Sequence, residues 1–293
     1  MKRWVAALFS ILFFALVPFS AAKADLGPKP SISVTFEGAG ESTYYVTLLS
    51  KEASTFRYTT YDWENPDSAP YQKGDDSYEI FMKFVEYVDD DSFYFLQHFE
   101  NCTESNTFYW SGSPPWTFKI LIYFPDTDKF LSSGIITCDS FNSYYKATLS
   151  GVAESTDLND ATIAVVNNYD YFREVKLLLM RIVLTIATEL AIAFLFDLCN
   201  RKMFRVIVIV NVITQVLLFG TLSYAEYKSG FLLMILLYFV LELLVFIVEG
   251  CTYSLYRRKN VDLSVGYGRI WLYALIANAA SFALGFWLYS IFS

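Results

Sequence analysis

The sequence is poor in the residues that most catalytic and metal sites require. Its 293 residues include one histidine, His98, within the aromatic stretch FYFLQHF, a position typical of a packed or surface side chain. The chain contains no H-E-x-x-H motif, no double-glutamate motif with downstream histidines, and no recognisable serine–histidine pair. These absences exclude the known kinds of intramembrane protease and leave only carboxylates for acid–base chemistry. We therefore expect a non-enzymatic protein with no cofactor and no metal site.

Cysteine is scarce too, with four residues in the chain. Cys102 and Cys138 lie in the first half, where the sequence is equally compatible with a disulfide between them and with two unpaired thiols. Cys199 and Cys251 lie at the ends of predicted membrane helices and lack the paired spacing of a metal site.

Basic residues are few in the first half of the chain. Residues 25–172 contain 23 Asp and Glu against 8 Lys and Arg, which gives a net charge of −15. Residues 173–293 contain 7 acidic and 11 basic residues, a net charge of +4, in almost continuous apolar sequence. Because phosphate binding requires positive charge, the acidic half argues against a nucleic-acid partner. The chain thus divides into an acidic, aromatic-rich half and an apolar half.

The N-terminus has the pattern of a signal peptide over residues 1–24. Lys2 and Arg3 precede an apolar stretch, and Ala22-Lys23-Ala24 forms an A-x-A cleavage site. An uncleaved anchor helix is the alternative. The short run, which Pro18 ends early, favours cleavage.

Residues 25–150 have the short alternating patterns of a β-rich extracytoplasmic domain. Residues 31–49 predict a β-hairpin, because strand-like stretches flank a turn at Gly38 and Gly40. The stretch SYEIFMKFVEYV has helical spacing, and SFYFLQHF, WTFKILIYF, SGIIT and YYKATLS are further strand candidates. Many short strands with one short helix indicate a sandwich-like domain, so the whole chain is predicted to be α+β.

Four long apolar segments follow a polar linker at residues 151–176. Each is long enough to cross roughly 30 Å of hydrocarbon. The loops NRKMFR and YRRKN are basic, whereas YAEYKSG is nearly neutral. By the positive-inside rule the basic loops are cytoplasmic, which places the N-terminal domain and the C-terminus outside a multi-pass protein of the cell membrane. The predicted spans are residues 177–198, 206–223, 231–250 and 270–292 of an all-α four-helix transmembrane bundle.

The predicted spans contain polar side chains that hydrocarbon disfavours, by roughly 2.5 to 3.5 kcal/mol for a charge at the centre. Counted at about 1.5 Å per residue, Glu189, Gln215, Glu242 and Asn278 fall in one layer near the midplane. Their helical spacing predicts that they face the interior of the bundle. The predicted intramembrane polar cluster is Glu189, Asn211, Gln215, Glu242, Glu249 and Asn278.

Two interpretations of this cluster stay open. In the structural one, protonated Glu189 and Glu242 donate hydrogen bonds to Gln215 and Asn278 and hold the bundle together. In the functional one, the carboxyl groups form a proton or cation site, because acidic residues inside a membrane are candidates for function.

The chain also resembles a recurrent bacterial family of uncharacterised membrane proteins. The resemblance rests on PPWTFKILIYFPDTDKF, DSFNSYYKATLS, RIVLTIATELAIAFLF, VNVITQVLL, LELLVFIVEG and ALIANAASFALG. It implies a signal peptide, a small exported domain and a four-helix membrane module with a Glu, Asn, E-x2-V-x3-E, Asn pattern. That pattern falls on Glu189, Asn211, Glu242 with Val245 and Glu249, and Asn278. The resemblance implies an architecture and a site, and no chemistry.

These features predict a sensor, scaffold or partner-binding protein of the bacterial cell envelope. Its partners would be the lipid bilayer and an unknown protein or envelope ligand, and a homo-oligomer is compatible with the sequence. The alternative is a small proton- or cation-coupled transporter that uses Glu189 and Glu242 as its protonatable pair.

Overall fold

The computed structural model describes residues 28–152, 161–198, 200–259 and 265–292. It has the α+β architecture predicted from the sequence: a β-rich N-terminal region is followed by four long apolar helices. The predicted signal peptide lies outside the described residues. We call the N-terminal part the β domain. Its elements are β1 (Ser31–Glu37), β2 (Tyr45–Ser50), α1 (Tyr78–Glu86), β3 (Tyr94–Phe95), β4 (Glu100–Asn101), β5 (Thr107–Ser111), β6 (Thr117–Phe124), β7 (Lys129–Ser132), β8 (Ile136–Thr137), β9 (Asn142–Ser150) and β10 (Thr162–Asn167).

The strands of the β domain form two sheets. The first has the order β10-β9-β1-β5, in which β1 is parallel to β9 and antiparallel to β5. The second has the order β3-β2-β6-β7, and β4 and β8 extend it beside β2 and β6. Strand β10 lies in the segment that the sequence predicted to be a linker, and it pairs with β9 through its whole length.

The predicted hairpin at residues 31–49 is wrong, because β1 and β2 belong to different sheets. The intervening residues carry the chain from one sheet to the other. Gly38 has φ +87°, and a Cβ there would collide with the backbone carbonyl of Leu149. Glycine at position 38 therefore lets the chain leave β1 close to the backbone of β9. It does not form the turn of a hairpin.

The two sheets and α1 pack as three layers. The main core lies between the sheets and includes Ile32, Trp110 and Phe118. Phe81 and Phe84 of α1 cover the other face of the second sheet. Strand β6 is therefore buried on both faces, which explains its nearly unbroken apolar sequence. Strand β9 is solvated on one face and alternates between buried and exposed residues.

One buried ion pair interrupts the apolar sequence of β6. Lys119 Nζ lies 2.8 Å from Asp89 Oδ1 and 2.6 Å from Asp91 Oδ2. The Asp89 carboxylate also accepts hydrogen bonds from the backbone N–H groups of Asp91 and Phe93. Burial by itself raises the pKa of Asp89, but the bonds from Lys119, Phe93 and Asp91 outweigh it and leave that pKa below its ordinary value.

Cys102 and Cys138 are buried, unpaired thiols, so the structure has the second of the two alternatives and no disulfide joins them. The backbone N–H of Cys102 donates to the carbonyl of Tyr44, just before β2. The backbone N–H of Cys138 donates to the carbonyl of Trp116, just before β6. Because β2 and β6 are antiparallel, with Tyr45 opposite Tyr123, these positions lie at opposite ends of the pair, roughly 23 Å apart along β6. A disulfide requires Cα atoms within about 7 Å. Burial raises the pKa of the Cys102 thiol to about 12.

The second half is a bundle of four helices, each long and apolar enough to cross a membrane. The protein is therefore a multi-pass membrane protein. Each helix packs against two others in the cyclic order α2-α3-α4-α5. The helices are longer than the predicted spans: α2 (Tyr171–Leu195), α3 (Arg201–Ser229), α4 (Phe231–Lys259) and α5 (Tyr267–Phe292).

Local sequence explains where these helices begin and end. The side chains of Asp170 and Asn200 accept hydrogen bonds from backbone N–H groups in the first turns of α2 and α3. Gly230 ends α3 with φ +79°, and a Cβ there would lie 2.6 Å from the ring of Phe141. Glycine is thus required both for the turn and for contact with the β domain.

The β domain contacts the end of the bundle at which α3 meets α4, which we call the upper end. The N–H of Phe141 donates to the carbonyl of Tyr227 at 2.7 Å, and Lys228 Nζ donates to the carbonyl of Asp139 at 2.6 Å. The predicted basic loops lie at the opposite, lower end, where Arg269 pairs with Asp197 at 2.6 Å. The two ends therefore differ in charge and in neighbours.

Candidate functional site

Helical periodicity places a column of polar side chains inside the bundle. Helix α2 buries Arg181, Thr185 and Glu189, which are four residues apart and lie on one face. The other three helices direct further polar residues to the same interior. These residues are Asn211, Thr214 and Gln215 of α3, Tyr238, Glu242, Glu249 and Tyr253 of α4, and Tyr273, Asn278 and Ser281 of α5.

The upper part of the column is built around Arg181. Its Nη2 donates to Glu242 Oε1 at 2.9 Å and to Tyr238 Oη at 3.0 Å, and its Nε donates to Gln215 Oε1 at 2.7 Å. Tyr238 in turn donates to the backbone carbonyl of Phe282. One guanidinium group thus links α2 to α3 and α4 directly, and to α5 through Tyr238. Two charges buried in this way require hydrogen bonds of this kind to offset the loss of water.

Close helix packing makes room for the guanidinium group. Gly285 of α5 lies against Arg181, and a Cβ at this position would come within 3.1 Å of the guanidinium carbon and would collide with the hydroxyl of Tyr238. Small residues let membrane helices approach in this way.

The lower part of the column contains Glu189 and Glu249, which we call the carboxyl pair. Glu189 Oε2 accepts hydrogen bonds from Asn211 Nδ2 at 2.7 Å and from Tyr273 Oη at 3.1 Å. Glu249 accepts from Asn278 Nδ2 at 2.7 Å and from Thr214 Oγ1 at 3.1 Å. The two carboxyl groups thus bond α3 one helical turn apart, and Tyr253, four residues after Glu249, lies with its hydroxyl 3.5 Å from Glu189 Oε2.

The structure distributes the predicted cluster over two levels. Glu242 and Gln215 lie with Arg181 in the upper level, whereas Glu189 and Asn278 lie in the lower level. The hydrogen-bond partners also differ from the predicted ones. Depth counted from the predicted spans placed all four in one layer, because those spans omitted six residues at the start of α2 and five at the start of α3, from which the depths of Glu189 and Gln215 were counted. The levels are separated by the seven residues from Glu242 to Glu249, roughly 10 Å.

Sequence reasoning missed Arg181, Thr214, and the tyrosines at positions 238, 253 and 273. Arg181 could have been found, because it is an ionisable residue inside a predicted span and lies eight residues, on the same helical face, before Glu189. Tyr238 and Tyr253 likewise lie four residues before Glu242 and four after Glu249. Their helical spacing was therefore a signal of shared facing.

A cavity of about 410 Å³ opens at the upper end of the bundle, and we call it the junction cavity. The β domain contributes Asn142 and Tyr144 to its wall, and all four membrane helices contribute as well. Its lining includes Arg181 and Tyr238, so it reaches the upper level of the polar column. The apolar part of its wall comprises Leu177, Phe219, Leu222, Phe231, Met234, Ile235 and Phe286.

An apolar layer closes the lower end of the column. Leu198, Met203, Ile207, Val265 and Ile270 are buried together there. The polar column is therefore adjacent to the junction cavity above and to hydrocarbon-like packing below. This arrangement can bind a ligand from above and can hold a proton, and the apolar layer separates it from the lower end.

No family model, no curated protein and no solved structure matches the chain. The interpretation of the site therefore rests on its own geometry.

Proposed function

We propose that the protein is a membrane receptor that binds a small ligand in the junction cavity and transmits its presence to the helix bundle. The single observation that supports this proposal is the composition of the cavity wall, to which both the β domain and all four helices contribute. A ligand there would contact both halves at once. The volume of about 410 Å³ falls within the range of roughly 300 to 1,000 Å³ of small-molecule sites.

Coupling to the bundle would run through Arg181. This residue lines the cavity and also forms the hydrogen bonds that link it to Gln215, Tyr238 and Glu242. A ligand that bonds the guanidinium group would compete with some of those bonds. Ligand binding would thereby change the contacts of α2 with its neighbours, and such a difference between states is what signalling requires.

The residues that line the junction cavity also indicate the chemical class of its ligand. Most of the wall is apolar or aromatic, with a few charged groups such as Arg173 and Glu174 near the mouth. Glu174 already accepts hydrogen bonds from Tyr169 and Ser223. These features favour a small, largely apolar molecule with one or two polar groups.

Native mass spectrometry of the protein extracted from its own membranes in mild detergent tests this proposal. Leu177→Trp would fill the cavity, whereas Leu179→Trp adds the same ring to the same helix where the side chain is 58% exposed on the outer face. We expect a small molecule retained on the wild-type protein and on Leu179→Trp, and lost from Leu177→Trp. Equal masses on all three proteins, or a wild-type protein that retains nothing and gains no mass from an envelope extract, would contradict it.

We propose the topology together with this function: the β domain and the C-terminus are extracytoplasmic and the basic loops cytoplasmic. The support is the charge of the lower end, where Arg201, Lys202 and Arg205 of α3 lie near Arg257 and Arg258 of α4. A membrane-impermeant thiol reagent applied to intact cells should label a cysteine introduced at Phe56, which is 81% exposed, and not one introduced at Arg205. The reverse pattern would invert the topology.

Proton- or cation-coupled transport is the second candidate, and the intramembrane carboxyl groups favour it. The apolar layer at Met203 and Ile207 argues against it, because this layer lies between the column and the lower end of the bundle. Ion flux into proteoliposomes that Glu249→Gln abolishes would put transport ahead of the receptor.

A further inference from the structure

We infer that Glu189 and Glu249 form a single proton-binding site that exchanges its protons with the junction cavity and not with the lower end of the bundle. This site is separate from the ligand site above, and the inference does not depend on the proposed function.

Two buried carboxyl groups without a cation require a proton. Glu189 and Glu249 are at most 1% exposed, and the side chains that donate hydrogen bonds to them are all neutral. A second ionised carboxylate here would be a buried charge without a counter-charge, so one of the two groups is protonated. The pair in this state carries one proton and one negative charge. Dyads of carboxyl groups at close range share a proton for the same reason.

The surrounding side chains are arranged for a negative charge and not for a metal cation. The amide nitrogens of Asn211 and Asn278 face the carboxylate oxygens at 2.7 Å, so each amide donates. A cation site would turn amide oxygens toward the centre instead. Tyr273, Tyr253 and Thr214 supply three further hydroxyl groups at 3.1 to 3.5 Å. Five donors thus surround one shared charge.

The remaining charges near the pair are few among the described residues. On α2, Arg181 lies eight residues above Glu189 and is bonded to Glu242. On α4 the titratable neighbours are Glu242 and Tyr253, and on α5 the neighbour is Tyr273. Helix α3 faces the pair with the uncharged Asn211 and Thr214. Arg181 is already balanced by Glu242, so the charge of the carboxyl pair is controlled chiefly by its own protons.

Two buried polar atoms lie between the pair and the cavity. Glu242 Oε2 and Ser281 Oγ form no hydrogen bond within the described residues, although these residues are only 7% and 3% exposed. Glu242 lies two helical turns above Glu249, and Ser281 lies one turn above Asn278 on the same face. Buried polar atoms without a protein partner are where internal water binds. Protons can therefore pass from the cavity past Glu242 and Ser281 to the carboxyl pair.

The step itself is a simple protonation. The pair with one proton and one negative charge takes up a second proton from the cavity and becomes two neutral carboxylic acids, which ends the attraction of the five donors to a negative charge. Exchange from below is blocked, because Met203, Ile207 and Ile270 lie between the pair and the lower surface.

Infrared spectroscopy of the full-length protein in lipid vesicles tests the inference, because the C=O stretch of a protonated carboxyl group is distinct from that of a carboxylate. We expect a protonated-carboxyl band at neutral pH in the wild-type protein, a shift of that band in D2O, and its loss in both Glu189→Gln and Glu249→Gln. Glu86→Gln, on the exposed face of α1, is the matched control and should keep the band.

The route of exchange is tested by the same band. We expect Leu177→Trp, which fills the cavity, to slow the D2O shift, and Leu179→Trp to leave its rate unchanged.

Five results would overturn the inference. A band that never shifts in D2O would mean a locked structural hydrogen bond, and a band that survives both single substitutions would place the proton elsewhere. No band in the wild-type protein would mean that both groups are ionised. A band that Na⁺ removes at constant pH would identify a cation site. An unchanged rate in Leu177→Trp would remove the cavity from the path.

Discussion

The two halves of this protein differ in how many polar side chains they bury at their centres. Between the sheets of the β domain the core is apolar, with Ile32, Val34 and Phe118 fully buried. Inside the helix bundle Glu189, Asn211 and Glu249 are at most 1% exposed, while large apolar side chains cover the outer surface. The difference shows that the surroundings, and not a fixed hydrophobic rule, decide what is buried. Water drives apolar groups inward, whereas hydrocarbon leaves polar groups only the interior.

Each half also contains one buried ion pair, and the pairs differ in their surroundings. Lys119 of the β domain bonds Asp89 and also Asp91, which is half exposed to water. Arg181 of the bundle bonds only side chains that are themselves buried. Water reaches Lys119 from the protein surface beside Asp91, whereas Arg181 borders only the small junction cavity. The bundle should therefore respond more strongly than the β domain to loss of a polar partner.

The largest expected effect is on the apolar core. Phe118→Ala should lower the free energy of unfolding of the β domain by about 4 kcal/mol, because it opens a cavity between the two sheets. The same change at Phe239, which is 55% exposed on the outer face of α4, should cost little. Thermal unfolding in lipid nanodiscs measures both. Equal losses at the two positions would show that Phe239 is buried against a partner.

The next largest loss of stability is expected when the polar core of the bundle loses its arginine. Arg181→Met should cost about 3 kcal/mol, because it leaves Glu242 charged and without its cation. The double variant Arg181→Met/Glu242→Met should recover most of that loss, since it removes both charges. Unfolding by titration with a denaturing detergent measures the stability of both variants. A double variant as unstable as the single one would show that the ion pair is not what the arginine contributes.

A smaller effect is expected where a neutral amide is removed. Asn278→Leu deletes the hydrogen bond to Glu249 and should cost about 1 kcal/mol, in the range of interhelical bonds in membranes. Thr221→Val is the control, because its hydroxyl bonds only the carbonyl of Leu217 in its own helix and faces outward. The same unfolding measurement applies. A loss as large as that of Arg181→Met would make Asn278 essential to the fold.

The smallest effect concerns the single histidine. His98 stacks on Tyr58 at 4.9 Å, and burial lowers its pKa below the ordinary value of 6.5, with Arg57 adding to the shift and a bond to the Tyr109 backbone opposing it. At a pH between the lowered pKa and 6.5, the unfolded chain binds more protons than the folded protein. The free energy of unfolding therefore falls as the pH drops through this window. Above pH 6.5 the histidine contributes no slope.

His98→Phe keeps a ring beside Tyr58 and removes the titration. The difference between its unfolding midpoint and that of the wild-type protein should therefore vary with pH only below about 6.5. A difference that is constant from pH 5 to 8 would show that His98 has the same pKa in the folded and unfolded protein.

Much of the architecture could be predicted because it depends on local patterns. Four apolar segments long enough to cross a membrane, and the amphipathic helix around Phe81 and Phe84, are visible as composition and periodicity. The pairing of the strands could be predicted less well from the sequence. The stretches around Val34 and Val46 have the alternation of a hairpin, but the chain between them connects two sheets. Alternation identifies a strand and does not identify its neighbour.

The candidate site shows the same division. The sequence by itself determined which residues are polar inside the spans and which helical face each occupies, because a regular helix fixes facing at 3.6 residues per turn. Only the tertiary structure decided that Glu242 pairs with Arg181 and that Glu189 and Glu249 bond neighbouring residues of α3. Such partners depend on the relative heights of neighbouring helices. Those heights are set by packing across the whole bundle and by its contact with the β domain at Phe141, and no short stretch of sequence encodes either.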